Sequence, residues 1–182
     1  MSAGDTIWAM AGERLDAQTL LFEQALREYQ RPILRLCYRM LGNLADAQDV
    51  AQEVFLRVYR HRGELSADRS PSPWLYRIAV NACRDRHRAS RPAINVDDAQ
   101  LASHGSPEAD AQSDQMRRFL MAALETLPEK ERQALVLRDL EGLSALETAE
   151  ILGSTETTVR TQASKARAKL RVWFDARLGR RG

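Results

Sequence analysis

Apolar residues recur along this chain every three or four positions, as amphipathic helices require, and strand-like alternation is missing. From about Leu20 the stripe runs through Leu26, Tyr29, Ile33, Leu36, Cys37, Met40 and Leu41. Pro32 falls inside it and predicts a kink or a fresh start, since proline lacks the N–H of a helical hydrogen bond. Gly42-Asn43 then ends the element as a helix C-terminus should. A second helix is predicted over Asp46 to Arg60, with Ala47, Val50, Ala51, Val54 and Val58 inward. Residues 61–73 read as a loop closed by Pro71 and Pro73. A third helix, Trp74 to Ser90, turns Trp74, Leu75, Ile78, Ala79 and Ala82 toward a core. Residues 1–17 contain Ile7, Trp8, Met10 and Leu15 without clear period and read as a frayed N-terminal extension.

The pattern lapses over residues 92–106, which read as a flexible linker, and resumes at Ser106-Pro107-Glu108, a helix start with Pro in the first turn. Four more helices follow by pattern. The first carries Met116, Phe119, Leu120, Ala123, Leu124 and Leu127; Pro128 opens the next, with Leu135, Val136 and Leu140, and Gly142 breaks it. Ser144-Ala145-Leu146-Glu147 fits a capping box and starts a short helix with Leu146, Ala149, Ile151 and Leu152 inward, ending at Gly153. Ser154-Thr155 begins the last, whose stripe is Val159, Ala163, Ala166, Leu170 and Trp173. The expected fold is all-α: two small helical domains, 18–91 and 107–182, joined by the linker.

Composition narrows the classes. At 182 residues the chain holds one ordinary domain or two small ones. Six Pro and nine Gly are too few for a turn-rich β protein. An aromatic share of 6% argues against a carbohydrate-binding or cofactor-stacking surface. No apolar run reaches the ~20 residues of a membrane span, and the N-terminus has no secretory layout. A soluble, cytoplasmic protein without membrane insertion is expected. Two cysteines, Cys37 and Cys83, without C-x-x-C argue against a disulfide scaffold or a thiolate zinc site. Metalloprotease, P-loop and nucleophile-elbow motifs are absent, and His61, His87 and His104 sit in unrelated contexts. Neither catalysis nor a cofactor is expected.

Net charge is only +2, but its distribution is uneven. From Pro92 to Met116 there is no Lys or Arg, against Asp97, Asp98, Glu108, Asp110 and Asp114. The third helix ends in Arg84, Arg86, Arg88 and Arg91, more cations than a helix dipole calls for. From Arg160 to Gly182 eight basic residues face one acid, Asp175. Two helices joined by a Gly-containing turn, the second presenting Thr158, Arg160, Thr161, Gln162, Ser164, Lys165 and Arg167, form a helix-turn-helix arrangement. Arg, Gln and Ser there can read base edges in the major groove, while Lys and Arg hold phosphates. In the second predicted helix Asp49, Gln52, Glu53 and Arg57 form a polar row opposite the core, which by itself is a solvated face.

Several stretches resemble one family. Leu127-Pro128-Glu129-Lys130-Glu131-Arg132, Leu143-Ser144 through Gly153, Thr158-Val159-Arg160 and Lys165-Ala166-Arg167 look like the promoter-reading C-terminal domain of bacterial extracytoplasmic-function (ECF, group IV) sigma factors. Asp46 through Phe55 and Trp74 through Asn81 resemble that family's N-terminal domain. The resemblance spans about residue 20 to 174, in two lobes in the right order. It implies a dissociable, non-catalytic subunit that binds core RNA polymerase and directs it to promoter DNA. Asp46, Asp49, Gln52, Glu53 and Arg57 then match the surface for the clamp helices of the largest polymerase subunit. Arg77, Asn81, Arg84, Arg86, His87 and Arg88, with the 62–73 loop, match the reader of the −10 element, where a base of the opening strand enters a loop pocket. The helix centred on Arg160–Lys165 matches the −35 reader. The linker is implied to thread the polymerase's active-site and RNA-exit channels, and an anti-sigma factor is the usual inhibitory partner. The chain departs from the family pattern at Pro71-Ser72-Pro73, where an aromatic is usual, at Thr157, commonly Gly, and at Gln162, commonly basic. A two-lobed helix-turn-helix regulator that does not join polymerase is the alternative.

Overall fold

The computed structural model describes the backbone of residues 3–89 and 107–179, and side chains over 17–89 and 115–179. The linker lies outside the described residues. Seven helices follow in order: α1 (Ala3–Leu41), α2 (Leu44–Arg60), α3 (Ser72–Ala89), α4 (Pro107–Glu125), α5 (Glu129–Leu135), α6 (Ala145–Leu152) and α7 (Glu156–Leu178). A 3-10 turn, Arg62–Glu64, interrupts the loop before α3, and a π-helical turn, Val136–Leu140, extends α5. No strand occurs among the described residues.

In the first lobe α1 packs on α2 and α3. Helix α1 starts at Ala3, not near Leu20, and continues through Pro32 to Leu41. Its neighbours Ile33 and Leu36 are fully buried, so tertiary packing keeps the helix going across the hydrogen bond that proline cannot donate. Gly42, at φ +79°, turns the chain, and Asn43 caps α2 by accepting from the Asp46 N–H at 3.0 Å. Ala47, Val50, Val54 and Val58 fill the core beside Leu75, Ala79 and Val80 of α3.

In the second lobe α5 and α6 pack on α7. Ser144 caps α6 through the full capping box: its hydroxyl accepts from the Glu147 N–H at 3.2 Å, and the Glu147 carboxylate accepts from the Ser144 N–H at 2.8 Å. Gly153, at φ +62°, ends it in the left-handed region, with the Ser154 N–H donating to the Ala149 carbonyl at 2.9 Å. Leu146, expected inside, is exposed, because it sits in the first turn on the outer face while Ala145, Thr148, Ala149 and Ile151 are the buried residues of the helix. Met116 is likewise exposed on α4.

The two lobes are not separate beads. Most of their buried apolar side chains form one connected cluster from Ile33 to Leu170, with α3 against α6 and α1 against the π turn, beside a small second cluster of Ala134, Ala149, Val159 and Ala163.

Candidate functional site

Three surfaces carry the residues singled out from sequence. The first is the outer face of α2. Asp49, Gln52 and Glu53 are exposed there, with Asp46 and Arg57 half-buried beside them. Arg57 pairs with Glu53 one turn earlier. Arg86 of α3 reaches across to Asp46 at 3.3 Å and Asp49 at 3.5 Å. Arg86 therefore stands against the acidic row rather than with the other arginines of its own helix. Next to the row a groove of about 710 Å³ runs between α1 and α2, lined by Phe22, Leu26, Leu34, Phe55, Leu56 and Tyr59. Leu56 and Tyr59 are about half exposed, so an apolar floor lies open beside a charged rim.

The second surface is α3 and the loop before it. Arg77, Asn81 and Arg88 are exposed along α3, at helical spacing, while Arg84 and His87 turn toward the second lobe. Arg84 donates from Nε (3.2 Å) and Nη2 (2.9 Å) to the Gln133 side-chain oxygen on α5. The preceding loop folds back on α1, with hydroxyls of Ser66 and Ser70 each accepting an N–H two residues on, at 3.3 Å. Between this loop and α1 lies a cleft of about 380 Å³, with Tyr29, Gln24 and Glu28 on one wall and Leu65 to Pro71 on the other.

The third surface is α7. Thr158, Arg160, Thr161, Ser164, Lys165 and Arg167 are exposed on it and Gln162 is half-buried, while Val159, Ala163, Ala166 and Leu170 hold it to the lobe. Thr155 caps its start by accepting from the Thr158 N–H at 3.2 Å. Local bonds sort the row. Arg160 pairs with Glu156 at 2.8 Å, one exposed turn away, so it exchanges partners cheaply. Arg167 instead donates from Nε (2.7 Å) and Nη2 (3.3 Å) to both oxygens of Asp139 in the π turn, which holds its guanidinium above its ordinary pKa. The Thr161 hydroxyl is spent on the Thr157 carbonyl at 2.9 Å. Among the described residues no three His, Cys, Asp or Glu side chains gather as a metal site needs, and no helix is long and apolar enough to cross a membrane.

Sequence reasoning missed the residues that join the lobes. Glu141, just after the π turn, accepts from Arg39 of α1 at 2.5 Å and from the Tyr76 hydroxyl of α3 at 3.1 Å. Burial, then the Glu141 charge, push the Tyr76 phenol well above its usual pKa. Arg132 donates to the Met40 carbonyl at the end of α1 at 3.1 Å, and burial lowers its pKa. The run Leu135-Val136-Leu137, buried throughout, is the one sequence signal here: three consecutive apolar residues do not fit a single helical stripe.

The family description "Sigma-70 region 2" matches residues 25–92, and "Sigma-70, region 4" matches residues 118–170. The ECF RNA polymerase sigma factor SigW of Bacillus subtilis is 36% identical over 155 residues, covering 79% of this chain and 83% of that protein. The chain belongs to the ECF branch of the sigma-70 family. This ECF sigma factor is thus an alternative sigma subunit that directs transcription of a regulon, a family that is not an enzyme class. Among solved structures its fold is shared with CnrH in complex with the cytosolic domain of CnrY (TM-score 0.67, 24% identity, 92% of this chain and 96% of that one). It is shared too with the sigma factor RpoE in complex with the anti-sigma factor NepR from Bartonella quintana (TM-score 0.65, 20% identity, 82% and 93%).

Proposed function

We propose that this sigma factor divides its work among the three surfaces. The α2 row Asp46, Asp49, Gln52, Glu53 and Arg57 docks on the clamp helices of the largest polymerase subunit. Arg77, Asn81 and Arg88, helped by His87 and, once their present partners let go, by Arg84 and Arg86, hold the −10 region. The cleft under the 65–71 loop receives a base of the opening strand, which costs a few kcal/mol to unstack. The Tyr29 ring at its wall offers a stacking partner. Helix α7 reads the −35 element in the major groove through Arg160, Gln162 and Lys165, with Thr158, Thr161, Ser164 and Arg167 around them. The domain limits follow this division: an extension 1–17, a polymerase and −10 domain 18–91, a linker 92–106 and a −35 domain 107–182. The protein acts in the cytoplasm, on the nucleoid when joined to polymerase, without catalysis of its own. An anti-sigma factor is its expected inhibitor; the structurally similar RpoE of Bartonella quintana is seen in complex with one, NepR.

The observation that carries the polymerase assignment is the acidic row of α2 standing beside an open apolar groove. A helix that served only as a solvated face needs no groove with Leu56 and Tyr59 half exposed on its floor. Asp49→Arg together with Glu53→Arg reverses the row while leaving every buried residue of α2 in place. The double variant is expected to keep its circular dichroism and lose core polymerase binding. Binding at the parent's affinity overturns the assignment.

A further inference from the structure

The two DNA-reading surfaces face one another in the free chain. Arg84 of α3 is bonded to Gln133 of α5, and the same Arg84 shares a small cleft with Thr158 and Gln162 of α7. Elements centred at −35 and −10 lie about 25 base pairs apart, or about 85 Å at 3.4 Å per base pair of straight duplex. Surfaces whose side chains meet across one cleft cannot bridge that span, so reading both elements requires the lobes to part.

Of the contacts that oppose parting, among them Arg84 on Gln133, Arg132 on the Met40 carbonyl and the shared apolar cluster, two charged or polar ones meet on a single residue. Glu141 has a side chain only 5% exposed, and it faces Arg39 at 2.5 Å and Tyr76 at 3.1 Å, both from the first lobe. Arg39 also reaches the Leu140 carbonyl at 3.5 Å, the last carbonyl of the π turn. That turn is what aims Glu141: the Glu141 N–H bonds five residues back to the Val136 carbonyl at 2.9 Å, and Gly142 at φ +75° then takes the chain away. Two residues before Glu141, Asp139 of the same turn pairs with Arg167 of α7. One short segment therefore ties the first lobe and the −35 helix to the same backbone.

We propose that Glu141, aimed by the π turn onto Arg39 and Tyr76, is an intrinsic latch that keeps this sigma factor closed without any partner. The inference rests on the promoter-reading roles proposed above only for its consequence; the latch itself is a property of the free chain. A buried carboxylate with two donors on the other lobe makes closing favourable. Removing its charge leaves the Arg39 cation with a weaker partner in the interface. Apparent affinity for anything that takes only the open form then rises as the open fraction rises.

The test uses the full chain with spin labels at Glu64→Cys in the first lobe and Val172→Cys in the second. Both sites are exposed, whereas Cys37 and Cys83 are buried. Electron–electron double resonance on the parent is expected to give one short inter-lobe distance. Glu141→Gln, and independently Tyr76→Phe, are expected to shift weight to longer distances. Unlabelled Glu141→Gln is expected to bind core polymerase about tenfold more tightly than the parent. Should Glu141→Gln lose its circular dichroism, Tyr76→Phe, which removes one hydroxyl and no packing, decides. Distances in the folded variants that match the parent overturn the latch. A parent that does not bind polymerase at all overturns the sigma docking surface instead, and the distances still judge the latch.

Discussion

Arg160 and Arg167 are seven positions apart on one exposed helix, yet their surroundings hold them differently. Arg160 is tied only to Glu156, one turn before it, in a pair that solvent screens. It is free to trade that partner for a guanine edge. Arg160→Ala is therefore expected to cost about 1–3 kcal/mol at the preferred −35 sequence and to relax preference at one position. Arg167 is forked onto Asp139 and orients α7 against the π turn. Its loss is expected to weaken all DNA sequences alike, and Asp139→Asn is expected to do the same although it removes a negative charge that DNA would repel. Competition binding over a panel of single-base −35 variants separates the two patterns.

The chain's own chemistry explains which site residues were legible. Thr158, Arg160 and Lys165 could be placed on the outer face from the Val159-Ala163-Ala166-Leu170 stripe alone, since period fixes facing. Which of them already has a partner is a matter of tertiary distance. Asp139 precedes Arg167 by 28 residues and Gln133 follows Arg84 by 49, separations at which spacing says nothing. Arg86 shows the same limit: by charge it belongs with Arg84 and Arg88, but in space it neutralises Asp46 and Asp49.

Among the elements, α6 shows how local chemistry sets a boundary. Ser144, Glu147 and Gly153 were readable as start and stop, because capping boxes and left-handed glycines are local devices. Ser144→Ala is expected to destabilise the second lobe by about 0.5–2 kcal/mol. Gly153→Ala meets no neighbouring atom, so its cost is the backbone strain at φ +62°, about 1–2 kcal/mol. Urea unfolding of both variants checks these values. The hydrogen bonds to Ser144 hold the Glu147 carboxyl below the usual glutamate range. A depressed carboxyl stabilises the fold above its unfolded pKa of about 4.3 and loses that contribution as pH falls through the lower folded value. Stability measured from pH 6 down to pH 3 is expected to fall less steeply in Glu147→Gln than in the parent.

Two elements were not readable from local pattern. Helix α1 begins at Ala3 and runs through Pro32, against both the lapse of period at the N-terminus and the usual effect of proline. Packing of Ile33, Leu36 and Cys37 against α2 and α3 outweighs one missing hydrogen bond. The π turn likewise follows from where Glu141 and Leu137 must point, not from propensity.

At the scale of the whole molecule the all-α, two-lobed plan was legible, because seven amphipathic patterns with short breaks leave few alternatives. That the lobes share one apolar cluster was not, since a linker read as flexible predicts independence. The closed arrangement has a direct consequence: the α2 row and groove stay on the outside, while Arg84 and the start of α7 turn toward each other. On the proposed reading polymerase first meets the α2 surface that the closed chain still offers, and its full engagement, like promoter reading, needs both lobes free.

Direct titration of the fluorescently labelled full chain with bacterial core RNA polymerase, competed by an unlabelled ECF sigma factor, tests the central claim. Tight, saturable binding that the competitor displaces is the predicted result. A folded, monodisperse sample that shows no binding contradicts it.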